Sequence, residues 1–386
     1  MKRVAVVGAT GSVAGSALAV ARFLGDRFRI VALSAGSGGD AFLALAEEFP
    51  DALLALADPA DGVRERLSGR RLFLGPDANG ELLAEAEADV VVLAAPGTAG
   101  LGAAFAAARP GVRLLLANKE VLVSAGKLFL AHARRNNAEV LPLDSEHCAL
   151  HQCLDGRDPA SVERLVVTAS GGPFRSWDRE RIARAAPADA LNHPIWRMGP
   201  KITVDSATLA NKALEVVEAH HLFSMPLARV DVLVHPQSAI HGLVEFKDGS
   251  WLAHIGRADM RLAAQYAFLY PDMDKSRLPR LNPLEIRQLT FEEPRLDLFP
   301  LLGMGIAAAG AGDRRAACFN AANERAVTLF LDGKLDFYGM AEAVRRALDE
   351  SPGGDFSTLA EVFAAHDQAV AAVGRFVAAR KKANIL

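Results

Sequence analysis

The chain has 386 residues, enough for two or three domains, and 51% of them are hydrophobic, so a large core is available. Its formal net charge is −3 with no basic block, which argues against a nucleic-acid or anionic-membrane partner and makes any basic site local, as a single phosphate would need. Three cysteines without a CxxC spacing suit a reducing compartment, and no stretch approaches the roughly 20 apolar residues of a membrane span, so a cytoplasmic protein is expected.

Met1, Lys2 and Arg3 precede a short apolar run that meets Gly8, a strand rather than a signal-peptide core. Runs 4–7, 28–33, 53–56, 71–74, 90–94, 113–117 and 138–143 read as strands, with Ala/Leu/Glu-rich helical runs between them. Continuously apolar strands alternating with helices predict a doubly wound, Rossmann-like parallel sheet over residues 1–145. The turn Gly8-Ala9-Thr10-Gly11-Ser12-Val13-Ala14 follows the first strand and opens a helix. Its small residues let the backbone approach a pyrophosphate at the helix N-terminus. After the second strand, Gly36, Ser37 and Gly38 leave room for a ribose 2′-phosphate, and no acid precedes Asp40, so NADPH is favoured over NADH. Asn118-Lys119-Glu120 and Asp144-Ser145-Glu146-His147 each follow a strand, at the carboxyl ends where such sheets take ligands. On an extended backbone Asp144 and Glu146 would point one way.

The middle of the chain reads as α+β. Strands are expected at 164–169, 230–235, 240–246 and 251–255, the last two joined by a Lys247-Asp248-Gly249-Ser250 hairpin, with a helix beside the resulting meander. Between Ser170 and Lys201 lies a long Gly- and Pro-punctuated excursion, read as a lid, on which His193, Trp196 and Met198 offer one polar tip and two apolar covers. Residues 201–218 read as a short strand, a polar corner at Asp205 or Ser206, then a helix. Thr208, Asn211, Lys212, Glu215 and Glu218 recur on it at helical spacing and share one face. Ser206, Asn211 and Lys212 are donors suited to a phosphate. Glu215 is acceptor-only, and with Asp144 and Glu146 it forms an all-carboxylate set suited to Mg²⁺ or Mn²⁺ rather than Zn²⁺. His147, His235 and His241 are as well explained by packing or structural hydrogen bonds, and the cysteines by burial. Five prolines between Tyr270 and Pro300 mark a surface linker, and a helical tail follows. The domains expected are 1–145, 146–270 with a lid at about 170–201, a linker at 271–300, and 301–386.

Taken together, GATGSVA (8–14), LANKEVLV (116–123), PLDSEHCA (142–149), SGGPF (170–174), HPIWRMGPKITVDSATLANKALEVVEA (193–219), HPQSAIHGLV (235–244) and CFNAANE (318–324) resemble the 1-deoxy-D-xylulose 5-phosphate reductoisomerase family, in order through nearly the whole chain. The resemblance implies a V-shaped homodimer with NADPH-binding, catalytic and C-terminal helical domains, and Mg²⁺, Mn²⁺ or Co²⁺ as metal. It implies Asp144, Glu146 and Glu215 as metal ligands, and Ser170, Ser206, Asn211 and Lys212 as the phosphate set. Lys119, Ser145 and His193 become further substrate contacts, and Thr10, Gly11, Ser12, Val13, Gly36, Asn118, Glu120 and Gly199 cofactor contacts. Trp196 and Met198 form the flap. Two positions depart from the family pattern. Ser37-Gly38 stand where a Lys or Arg and then Asn are usual, and Ala14 replaces a glycine.

The implied reaction rearranges a ketose phosphate to a branched aldehyde phosphate, which NADPH then reduces. Glu146, Lys119, His193 and Glu215 are the catalytic candidates, with the proton carrier open among Glu146, Lys119 and a metal-bound water. The rival reading is a metal-independent NAD(P)-dependent dehydrogenase of the semialdehyde or homoserine type; the semialdehyde version would need a nucleophilic cysteine.

Overall fold

Strand β1 (Lys2–Val7) buries Val4, Ala5, Val6 and Val7 completely, as a strand covered on both faces must. In this computed structural model, which describes residues 1–383, β1 is the centre of a seven-stranded sheet. The other strands are β2 (Phe28–Ala35), β3 (Leu53–Leu56), β4 (Leu72–Leu74), β5 (Val90–Leu93), β6 (Arg113–Leu116) and β7 (Glu139–Pro142). The order is β4-β3-β2-β1-β5-β6-β7, all parallel. The winding reverses between β1 and β5, and the crevice beyond their carboxyl ends is the ligand position of this topology.

The chain divides into two units. The first comprises Met1–Val121, Phe129–Cys148 and Asp259–Pro279; the second comprises Leu122–Leu128, Ala149–Ala258 and the chain from Arg280 onward. Helix Met260–Leu269, which the sequence grouped with the catalytic segment, packs on the first sheet instead. Its Ala264, Ala267 and Phe268 join the core under β1 and β2, and Phe268 meets Phe28 edge-on at 4.9 Å.

The second unit holds a four-stranded sheet of β8 (Val162–Ala169), β9 (Val230–Val234), β10 (Ile240–Phe246) and β11 (Trp251–Ile255), in the order β11-β10-β8-β9. It is not the meander expected. β10 pairs antiparallel with both β8 and β11, but β9 lies parallel to β8 on the far side. The reason is the helical connection: a chain that leaves β8 and returns through helices makes a crossover, which delivers a parallel neighbour.

That connection also corrects the reading of 201–204 as a strand. Residues Pro200–Thr208 form a helix with Pro200 at its first turn, Leu209 turns left-handed (φ 59°), and a second helix runs Ala210–Leu222. The β-branched run Ile202-Thr203-Val204 mimics a strand locally, but Pro at the first helical position and burial of Thr203 and Val204 decide for helix.

The excursion expected to be a lid divides in two. Phe174, Ile182, Ala185 and Ala190 are buried in the core of this unit, and Arg295 donates to the carbonyls of Phe174, Arg175 and Trp177. The stretch 191–199 lacks regular structure and lies largely at the surface. The proline-rich linker is likewise tied down in part: His235 donates from Nδ1 to the Thr290 carbonyl and stacks on Phe291. The tail is helical, as Pro300–Gly310, Asp313–Leu331, Phe337–Glu350 and Leu359–Ala383. Helix Ala210–Leu222 meets it so closely that a Cβ on Gly305 would lie 2.6 Å from the Ala213 Cβ.

Candidate functional site

In the first unit a cleft of about 600 Å³ opens beyond β1, β2 and β5, lined by Gly8, Thr10, Gly11, Ser34, the 35–42 loop, Ala95 and Pro96 among others. Gly8 has φ +82°, and a Cβ there would lie 2.5 Å from the Ala95 N, so only glycine lets the first turn pass the β5 loop. Ser12 begins helix Ser12–Leu24 after Gly11, which offers no side-chain cap, so the N-terminal N–H groups face outward. Gly36, Ser37 and Gly38 line the same cleft. Asn118 caps helix Lys119–Arg135 by accepting from the Val121 N–H at 2.9 Å, and its Nδ2 donates to the carbonyls of Ala95 and Gly97. Its side chain therefore clamps the β5 loop to the end of β6.

Beside this clamp, Lys119 Nζ donates to Asp144 Oδ2 at 2.7 Å, and the fully buried His147 approaches the same oxygen at 2.9 Å through Nδ1. Burial alone would raise the Asp144 pKa, but the Lys119 charge and the His147 hydrogen bond outweigh it and hold the carboxyl well below the usual range. Ser145 opens helix Ser145–Leu154, so Glu146 stands in a first helical turn rather than on the extended backbone expected. Ser145 Oγ donates to Glu146. Glu120 is buried in the first turn of the preceding helix.

In the second unit the carboxyl end of β8 meets the break between the two helices. Gly171 and Gly172 both have positive φ, and a Cβ on Gly172 would lie 2.7 Å from the Ser206 carbonyl oxygen. The Ser170 loop and Ser206 are thus brought together. Lys212 Nζ donates to the Thr168 carbonyl at 2.7 Å and to Glu215, and Asn211 Nδ2 donates to the other Glu215 oxygen. Lys212 and Glu215 are buried, 5% and 1% exposed, so their charges must balance each other where water cannot.

His193 fixes the polarity of this corner. Its Nδ1 accepts from the backbone N–H of Ile195 at 3.2 Å and Trp196 at 2.9 Å. Burial first, then the charge of Lys212, lowers its pKa to about 4, so it is neutral at pH 7. The proton therefore sits on Nε2, which donates to Ser170 Oγ at 3.0 Å; the same oxygen accepts from the Gly172 N–H at 3.1 Å. Two donors point at the Ser170 oxygen, which leaves its own O–H to donate. Trp196 is half-buried and meets His241 edge-on at 6.3 Å, with Met198 and Gly199 on the same exposed stretch.

One supporting residue escaped the sequence reading. Asn323, fully buried on helix Asp313–Leu331, donates to Asp205 Oδ1 at 2.7 Å, while Lys201 holds Asp205 Oδ2 at 3.0 Å. The available signal was two asparagines, Asn320 and Asn323, in an otherwise apolar stretch of the CFNAANE motif. All three cysteines are buried thiols outside any disulfide, as expected.

A glycine turn packed under the switch point of an all-parallel, doubly wound sheet defines a dinucleotide-binding class of protein. Family models described as 1-deoxy-D-xylulose 5-phosphate reductoisomerase match residues 4–126, with its C-terminal domains matching 140–223 and 255–372. A relative of that name from Ralstonia nicotianae is 43% identical over 98% of this chain and 99% of its own. One from Xanthomonas campestris is 46% identical over 90% of each. The solved structure of the Zymomonas mobilis reductoisomerase in complex with NADPH superposes with a TM-score of 0.89 at 38% identity, covering 97% of this chain and 99% of that one. Another reductoisomerase, solved with NADPH, fosmidomycin and magnesium, gives 0.92 at 34% identity, covering 99% of each. The chain belongs to the 1-deoxy-D-xylulose 5-phosphate reductoisomerase family.

Proposed function

We propose that the protein isomerises 1-deoxy-D-xylulose 5-phosphate and reduces the product to 2-C-methyl-D-erythritol 4-phosphate, a step of isoprenoid precursor biosynthesis, using NADPH and a divalent metal ion. The observation that carries this reading is membership of the family along 98% of the chain, with the glycine cleft and the donor corner both formed by the residues quoted above. When bound, NADPH supplies a hydride and Mg²⁺, Mn²⁺ or Co²⁺ supplies Lewis-acid stabilisation of substrate oxygens.

The residues fit these groups chemically. Asp144, Glu146 and Glu215 offer hard oxygen donors, and Asp144 and Glu215 already draw cationic partners, Lys119 and Lys212. Ser170 and Ser206 offer hydroxyls to the phosphate, with Asn211 and the positive charge of Lys212 beside them, so binding energy remote from the reacting carbons orients them. Lys119, Ser145 and His193 hold the substrate's oxygens, and Glu146 or Lys119 moves the protons. Thr10, Gly11, Ser12 and Val13 cradle the pyrophosphate, Gly36, Ser37 and Gly38 the adenosine end, and Asn118, Glu120, Met198 and Gly199 complete the cofactor's surroundings. Trp196 and Met198 cover the reacting atoms and exclude water.

The family's homodimer is proposed for this chain too. The edge strand β11 supports it, with Trp251 and Ile255 exposed at 41% and 48%. No helix among the described residues is long and apolar enough to cross a membrane, and we place the protein in the cytoplasm. The semialdehyde alternative loses its nucleophile: burial raises the pKa of Cys153 and Cys318, and Cys148 is 1% exposed.

The test follows NADPH absorbance with 1-deoxy-D-xylulose 5-phosphate and Mg²⁺ or Mn²⁺, then adds EDTA. Oxidation that requires both substrate and metal is expected. Substrate-dependent oxidation that survives EDTA, or none from folded NADPH-binding protein, rejects the assignment.

A further inference from the structure

The adenosine end of the cleft poses a charge problem. A 2′-phosphate needs a cation near the second-strand loop, yet Asp40 is the one charged residue among the described lining. The facing wall is the turn after β3. Asp58 and Ala60 donate backbone N–H bonds, each 2.9 Å, to the carbonyls of Gly36 and Ser37, which laces that turn to the loop. Gly38, at φ +76°, lies so near Leu56 and Val63 that a Cβ would be 2.7 Å from both side chains. Val63 opens the short helix Val63–Arg66, and Arg66 reaches back so that its two terminal guanidinium nitrogens each sit 3.3 Å from Asp40 Oδ1.

Asp40 and Arg66 are exposed, at 94% and 60%, so their pairing is weak and easily exchanged. A phosphate dianion presents more charge and more acceptor oxygens to a guanidinium than a single solvated carboxylate does. Helix Asp40–Glu48 starts at the same place, and its N-cap, Gly39, has no side chain to satisfy the first N–H groups.

We propose that Arg66 is the cation that reads the 2′-phosphate of NADPH, supplied from the β3 side of the cleft in place of a basic residue at Ser37 or Gly38. The proposal rests on the dinucleotide reading above. It also gives Asp40 a part: left alone, it would repel a 2′-phosphate and suit a free ribose hydroxyl, so the Asp40–Arg66 pair sets the choice of cofactor.

The experiment measures calorimetric affinity for 2′,5′-ADP and for 5′-AMP in the wild type and in Arg66→Ala, Arg66→Lys and Arg64→Ala, with the NADPH/NADH ratio of kcat/KM beside it. Arg66→Ala is expected to weaken 2′,5′-ADP about tenfold, leave 5′-AMP unchanged and lower the ratio by a similar factor. Arg66→Lys should recover much of the loss, and Arg64→Ala should change nothing. Equal weakening of both nucleotides, no weakening, or the loss appearing in Arg64→Ala instead overturns the assignment. Folded wild type that binds neither 2′,5′-ADP nor NADPH overturns the dinucleotide reading itself, and Arg66 with it.

Discussion

In the first unit the surface of the cleft is backbone: Gly8, Gly11 and Gly38 bring N–H groups and turns close to it, and its described lining carries one charged side chain. In the second unit the surface is side chain: Ser170, His193, Asn211, Lys212 and Glu215 hold one another in fixed roles, largely out of water. The two regions therefore fail differently. A backbone site is spoiled by an added atom; a buried polar network is spoiled by a removed one.

The largest effect expected is at Lys212. Lys212→Ala leaves the Glu215 carboxylate buried without its cation and should cost about 3–5 kcal/mol in urea unfolding. Lys212→Met with Glu215→Gln should recover much of that, and a double variant as unstable as the single would break the contrast. Gly8→Ala comes next. A Cβ at positive φ, 2.5 Å from the Ala95 N, should cost roughly 2 kcal/mol and loosen NADPH in a binding titration. Gly15→Ala, with nothing within 4 Å on the helix that follows, should instead stabilise by about 0.5–1 kcal/mol. If both glycines respond alike, the cleft is not a backbone site.

Asn323→Ala removes one of two partners of Asp205 and should cost about 1 kcal/mol, with a measurable fall in kcat as the helix break loses its support. The most diffuse effect is on pH, where three imidazoles act together. Burial pushes His193, His221 and His254 down to about 4, helped by neighbouring charge from Lys212, His220 and His241 respectively. The unfolded chain takes up these protons near 6.5, the folded one only near 4, so stability should drain away as pH falls through that window. The melting temperature should drop a few degrees between pH 7 and pH 5, with amide exchange quickening first in the second unit. A flat profile would mean that these imidazoles are not held neutral by the fold.

What the sequence disclosed follows the same division. The parallel sheet and its cleft were legible because a buried strand writes a continuous apolar run and a tight turn writes glycine, both local signals. The residues of the second corner were legible as donors and acceptors, but their partners were not. Nothing near Asp205 in the chain announces Asn323, and nothing near Lys212 announces the Thr168 carbonyl. Residues 201–204 misled because Ile202, Thr203 and Val204 carry strand propensity that Pro200 and tertiary burial override. The sheet order misled because β9 finds its partner across a crossover, not across a hairpin.

The hydroxyl of Ser170 has a consequence for what the corner will admit. Its oxygen is occupied by two donors, so toward a ligand it can give a proton and cannot take one. An ammonium, or an alcohol that must donate at that point, would meet a hydrogen facing a hydrogen. A group made only of acceptors, such as a phosphate or a phosphonate dianion, meets no such conflict. As the phosphate site proposed above, the corner would sort ligands by the direction of the hydrogen bond before size, with a neutral imidazole setting that direction.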